Sequence, residues 1–161
     1  MTTINAPYTQ RRARLAAQLG PHGIAIIPTA PARARNRDTD YIYRHDSYFY
    51  YLTGFTEPHA WLIITGDGAT TLFCQPKDLE REIWDGIRLG PQAAPEAMGV
   101  DAAHPVGELD AQLPKMLENR DAVWFPFAIH SGLEAQVACA TARCAPSGWW
   151  THAACWTRCA W

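Results

Sequence analysis

Apolar and polar positions fall into short blocks along this chain, and the period changes from block to block. From Tyr8 to Leu19, Leu15, Ala16 and Leu19 are set against Arg11, Arg12 and Arg14, a spacing that gives a helix one apolar and one charged face. Gly20 and Pro21 stop that helix. Gly23 to Pro28 is a β-branched apolar run, which predicts a strand buried in a sheet covered on both faces. Two further apolar runs, Trp61 to Ile64 and Thr70 to Cys74, are split by Gly66, Asp67 and Gly68, the pattern of a β-hairpin. Asp78 to Trp84 predicts one or two helical turns before Gly86, and Pro91 to Met98 a second short helix ended by Gly99. Ala102 to Val106 reads as a brief strand. In Glu108 to Glu118, Leu109, Leu113, Met116 and Leu117 stand at helical spacing, with Pro114 unsettling the middle. Asp121 to Phe125 closes the series as a strand. Helices and strands alternating around one hairpin predict a single α/β domain with a mixed sheet.

Between the first strand and the hairpin the pattern lapses. Thr29 to Ser47 holds Arg33, Arg35, Arg37 and Arg44 with Asp38, Asp40 and Asp46, and shows neither helical nor alternating period. It reads as a long loop, and loops beyond about 15 residues in compact domains are usually functional or disordered. This one runs into Tyr48, Phe49, Tyr50 and Tyr51, which a disordered tail would lack; these aromatics are expected to pack in the core. Asp38, Asp40, His45 and Asp46 form the one close carboxylate and imidazole cluster, and hard cations accept such ligands. The neighbouring arginines compete for the same carboxylates. The expectation is therefore a loop ordered by ion pairs, with no metal ligand assigned. His22, His59, His104 and His130 are scattered singly.

The 161 residues suit one domain of ordinary size. A formal charge of −2 leaves no basic excess for nucleic-acid phosphates or an anionic membrane surface. The longest apolar runs, such as Gly23 to Ile27 and Ala60 to Ile64, fall far short of the roughly 20 residues of a membrane-spanning helix. No signal-peptide pattern opens the sequence, and the cytoplasm is the expected location. Cys74, alone in the body of the chain, reads as a small core residue in a reducing compartment.

Asp38 to Pro58 resembles a stretch of the aminopeptidase P N-terminal domain, written Y-x-[YF]-R-x-[ND]-S-x-F-x-Y-L-T-G-F-x-E-P. A second block, Glu82 to Glu96, is similar to the same family's E-x-W-x-G-x-R-x-G-x-x-A-A-x-E. With the helix and strand before them, these blocks extend the resemblance from about residue 8 to residue 137. It implies a roughly six-stranded mixed sheet with flanking helices, followed in the family by a metallopeptidase domain of the pita-bread fold. That second domain holds two divalent ions, usually manganese, whose bound hydroxide attacks the bond before proline. None of its ligands falls in this chain, so no catalytic residue and no cofactor is assigned here, and the chain alone is expected to be inactive.

The resemblance also carries two positions over. In bacterial members, which assemble as tetramers, the tryptophan matching Trp84 reaches the substrate pocket of a neighbouring subunit; the plainer alternative is that Trp84 anchors a short helix to the sheet. Asp38 would face the mouth of the catalytic domain. The implied partners are the catalytic domain, neighbouring subunits and, once assembled, peptide substrates. A free-standing interaction module is the second function class.

After Val137 the character changes. Four of the five cysteines fall in the last 23 residues and four of the seven tryptophans in the last 13, with no helical or strand period. Residues 138–161 are expected to be an atypical tail, of the composition a shifted reading frame in a GC-rich gene would give, and the catalytic domain to be missing. A zinc site built from Cys139, Cys144, His152, Cys155 and Cys159 is the alternative for this stretch, its spacing only loosely like structural zinc patterns.

Overall fold

The computed structural model describes residues 5–80, 82–127, 130 and 132–144. Along the chain run α1 (Ala6–Leu19), β1 (Gly23–Pro28), β2 (Ala34–Asn36), β3 (Thr39–Asp40), α2 (Ser47–Thr53), β4 (Trp61–Thr65) and β5 (Thr70–Cys74). There follow α3 (Glu82–Asp85), α4 (Gly90–Met98), β6 (Ala102–Pro105), α5 (Leu109–Leu117), β7 (Ala122–Trp124) and α6 (Leu133–Cys144). Five strands form one sheet in the order β6-β5-β4-β1-β7. Its central pairs β1/β4 and β4/β5 are antiparallel, and its outer pairs β1/β7 and β5/β6 are parallel. The fold is the α/β domain with a mixed sheet that the pattern predicts. Five strands lie in the sheet, and β2 with β3 makes a separate small hairpin.

Strand side chains alternate between faces, and the alternation sorts the core into two layers. Ala25, Ile27, Leu62, Ile64, Leu72 and Cys74 meet Ala16 and Leu19 of α1, Phe49 and Leu52 of α2, and Ala94 of α4. Ile24, Ile26, Ile63 and Phe73 meet Leu109, Leu113 and Leu117 of α5, and Leu133, Val137 and Ala140 of α6. All six residues of β1 are buried, as expected for a strand covered on both sides.

Two elements, α2 and α6, differ from the sequence reading, and α5 is the helix it predicts. α2 occupies the aromatic cluster, whose composition favours strands. Asp46 starts it by accepting the Tyr48 and Phe49 N–H groups at 2.8 and 3.0 Å, and Gly54 ends it in the left-handed conformation. A Cβ on Gly54 would stand 2.5 Å from the Tyr8 ring. Of the four aromatics only Phe49 is buried; Tyr48, Tyr50 and Tyr51 are partly open, which corrects the expectation of a packed cluster. α5 continues through Pro114 because Leu109, Leu113 and Leu117 recur every four residues and are all buried. α6 passes Val137 without a break and stays helical to Cys144; Leu133, Val137 and Ala140 give it a narrow buried stripe that small residues obscure in the sequence.

Arg12 is a further correction, being 2% exposed although it belongs to the charged face of α1. Its guanidinium donates to the carbonyl of Leu52 at 3.0 Å, to that of Met98 at 3.3 Å and to that of Gly99. These carbonyls close α2 and α4, where helices leave acceptors without intrahelical partners. One side chain therefore joins the ends of two helices to the middle of a third. Burial pushes its pKa down.

Candidate functional site

Two segments project from this frame, residues 30–46 and residues 75–89, and each carries one of the two residues singled out from the sequence. Asp38 sits at the turn between β2 and β3, exposed, its N–H donating to Asn36 Oδ1 at 3.1 Å. The hairpin's return leg is fastened at Tyr43. That hydroxyl lies 2.9 Å from Thr29 Oγ1 and donates to the carbonyls of Ala30 at 3.0 Å and Glu57 at 3.4 Å. The expected ion pairs are not what orders this segment: among the described residues, Arg33, Arg35, Arg37 and Arg44 form no salt bridge with Asp38, Asp40 or Asp46. The ordering comes from the Tyr43 hydroxyl and the Asp46 cap. His45 stacks on Tyr50 with ring centroids 4.0 Å apart. Asp46 Oδ2 lies 3.5 Å from His130 Nε2. Arg33, Tyr43, Arg44, His45, Asp46 and His130 are among the residues lining an open cleft of about 380 Å³.

The second segment is an arm between β5 and α4 with a closed stem. Gly90 has φ +72°, and a Cβ there would come within 3.2 Å of Lys77 Cβ, so the two ends of the arm touch. Within it, the Glu82 N–H donates to the Asp78 carbonyl at 2.9 Å and the Gly86 N–H to the Glu82 carbonyl at 3.1 Å. Glu82 Oε1 accepts the Arg88 N–H at 3.3 Å and lies 3.7 Å from Lys77 Nζ. The tip is apolar and open: Leu79, Ile83 and Ile87 are exposed and Trp84 is 86% exposed. Trp84 therefore does not anchor a helix to the sheet, which removes the plainer alternative. Among the described residues no hydrogen bond or ion pair joins Trp84 to Asp38.

Glu57 meets both segments at their roots. Its backbone carbonyl accepts from Tyr43, and its Oε1 accepts the Leu89 N–H at 2.7 Å as the arm returns to α4. Oε2 is buried without a hydrogen-bond partner. Burial pushes this carboxyl's pKa up, against the hydrogen bond from Leu89 and the charge of Arg88, with Glu82 adding to the rise. Cys74, at the end of β5, has its thiol pushed up to about 12 by burial and by the negative charge of Glu57, which makes it an inert core group.

No group of three or more His, Cys, Asp or Glu side chains able to hold an ion occurs among the described residues. Asp38, Asp40, His45 and Asp46 are drawn into a turn, a strand, an aromatic stack and a helix cap respectively. The described residues thus do not fit a manganese pair. Of the zinc alternative, Cys139 is exposed on α6, while the Cys144 side chain, His152, Cys155 and Cys159 lie outside the described residues.

The family model for the aminopeptidase P N-terminal domain matches residues 8–124, a span that includes both projecting segments and Glu57. The chain belongs to the aminopeptidase P N-terminal domain family. The Xaa-Pro aminopeptidase of Escherichia coli is 41% identical over 121 residues, covering 73% of this chain and 27% of that protein. The Haemophilus influenzae Xaa-Pro aminopeptidase is 36% identical over 127 residues, covering 77% and 30%. The structure of Pseudomonas aeruginosa aminopeptidase PepP superimposes with a TM-score of 0.81 at 40% identity, covering 84% of this chain and 31% of that one. The chain thus spans about a third or less of these relatives' length. Within the aminopeptidase P pattern, Tyr43 and Glu57 occupy specified letters, so their importance was readable there although only Trp84 and Asp38 were singled out. His130 lies outside both sequence blocks, and nothing in the residue order pairs it with Asp46.

Proposed function

We propose that this domain is the N-terminal part of an Xaa-Pro aminopeptidase, where it shapes the path of a peptide toward a catalytic domain with Trp84 and Asp38 facing the substrate. The observation that carries the reading is the Trp84 arm. Its second half, with Trp84, lies in a block of the family pattern, yet the arm leaves four large apolar side chains in water. Burying such a side chain is worth about 1.5–3 kcal/mol, so an arm that forgoes this in the isolated domain is suited to finding its apolar contacts elsewhere. An indole offers flat area with few rotamers to lose, which suits contact with a peptide. Manganese would be held by the catalytic domain, neighbouring subunits would meet this one, and the cytoplasm is the compartment we assign. A free-standing interaction module is the second reading, favoured by the same open tip.

Incubating the 161-residue chain with an Xaa-Pro peptide and manganese is expected to give no turnover, and metal-dependent cleavage by the chain alone would overturn the reading. Adding a separately made catalytic domain of a bacterial relative is expected to restore cleavage, with Trp84→Ala abolishing most of the gain. Failure to restore any cleavage would favour the interaction module.

A further inference from the structure

The arm leaves the sheet at Cys74 and returns at Leu89, and one side chain lies at both points. Glu57 is close enough to Cys74 for its charge to act on the thiol, and its Oε1 takes the Leu89 N–H at 2.7 Å. Leu89 also packs its side chain against the core beneath α1, α2 and α4. Within the arm, bonds join Lys77 to Glu82, Asp78 to Glu80 and Glu82, and Glu82 to Gly86 and Arg88. The Glu57–Leu89 bond thus ties the arm to the frame at the point where it rejoins the domain.

Glu57 is also placed at a cost. Its Oε2 is buried without a partner, and a buried acceptor left unmatched is unfavourable. Besides burial, the groups acting on the carboxylate are the Leu89 N–H, Arg88 and Glu82, all from the arm. Arg88 attracts it and Glu82 repels it. A carboxylate is a stronger acceptor for a backbone N–H than a neutral group is; here that N–H belongs to Leu89, where the arm rejoins α4.

We infer that Glu57 is the positioning residue of the Trp84 arm, fixing through Leu89 the direction in which the arm leaves the sheet. The functional meaning of this anchoring rests on the substrate-facing reading of Trp84, whereas the anchoring itself does not.

Amide hydrogen exchange on the full chain, followed residue by residue in wild type, Glu57→Leu and Glu57→Gln, tests it. In Glu57→Leu the Leu89 amide is expected to exchange at least tenfold faster, with trypsin cutting faster at Lys77 and Arg88. The amides of β1 and β4 should keep their protection. Glu57→Gln retains an acceptor oxygen and is expected to recover most of the Leu89 protection. Wild-type protection of Leu89 in Glu57→Leu would overturn the inference. So would protection lost uniformly across the sheet, which marks a general structural role, or a Gln variant that recovers nothing. None of these readouts involves peptide cleavage, so an anchored arm whose Trp84 proves irrelevant to a reconstituted enzyme would sink the functional reading and leave the anchoring standing.

Discussion

Ile24, Ile26, Leu62, Ile64, Leu72 and Phe73 are closed off from water in the sheet, whereas Leu79, Ile83, Trp84 and Ile87, residues of the same chemical kind, stand open on the arm. The sheet residues are layered between helices on both faces, and their neighbours fix them. The arm residues belong to a short closed loop whose root is tied to the domain through Glu57 and Leu89. Hydrophobicity alone therefore does not determine which residues build the core of this domain; the elements available to cover them do. Where cover runs out, apolar surface is left for a contact outside this set of elements.

The contrast can be broken hardest in the sheet. Phe73→Ala removes a ring between β4, α5 and His104, whose ring lies 5.6 Å away, and is expected to cost about 3–5 kcal/mol in urea unfolding. Arg12→Met keeps much of the volume but strips donors from the carbonyls of Leu52, Met98 and Gly99, for an expected loss of about 2–4 kcal/mol. A loss below about 1 kcal/mol would show that packing alone joins α1 to α2 and α4.

The boundary between the two regions is expected to respond more gently, through pH. The Glu57 carboxyl is raised in the folded state, so the fold binds its proton more readily than the unfolded chain does. Its contribution is fully present below the ordinary carboxyl value and is lost as pH rises through the raised one. Relative to Glu57→Gln, wild type should therefore gain under about 1 kcal/mol on acidification across that window, measured by denaturation at several pH values. A wild-type profile parallel to that of Glu57→Gln would remove the charge of Glu57 from the energetics of the root. The smallest effect belongs to the tip: Trp84→Ala should leave the melting transition within about 0.5 kcal/mol of wild type. A larger loss would mean that the arm is held by its tip and not by its root.

How far the sequence revealed this depends on where the determining contacts lie. β1, β4 and β5 were legible because apolar runs of five or six residues with a Gly/Asp turn have few other ways to bury themselves. α1 was legible as an element but not in its detail. The rule that places Arg12 on a charged face cannot know that two helix ends will arrive above it from residues 52 and 98–99. α2 was missed because four consecutive aromatics carry a strand preference, and the helix is decided by caps at Asp46 and Gly54 that act from its ends. The loop carrying Asp38 was rightly set apart, but its charges suggested ion pairs, while its order comes from the hydroxyl of Tyr43 reaching residues 13 to 14 positions away. Trp84 could be singled out from a specified letter of the family pattern, and Asp38 from the resembling stretch that it opens. The pairing of Glu57 with Leu89, 32 positions apart, is a tertiary fact with no local signature.

The touching ends of Lys77 and Gly90 make the arm a module with its own boundary. Doubling the length of a flexible loop whose ends are already fixed together costs only about 0.6 kcal/mol. Residues between these two points can therefore be inserted, removed or exchanged with little effect on the strands beside them. Reach and chemistry at the tip can thus be tuned to what the tip meets while the scaffold stays the same.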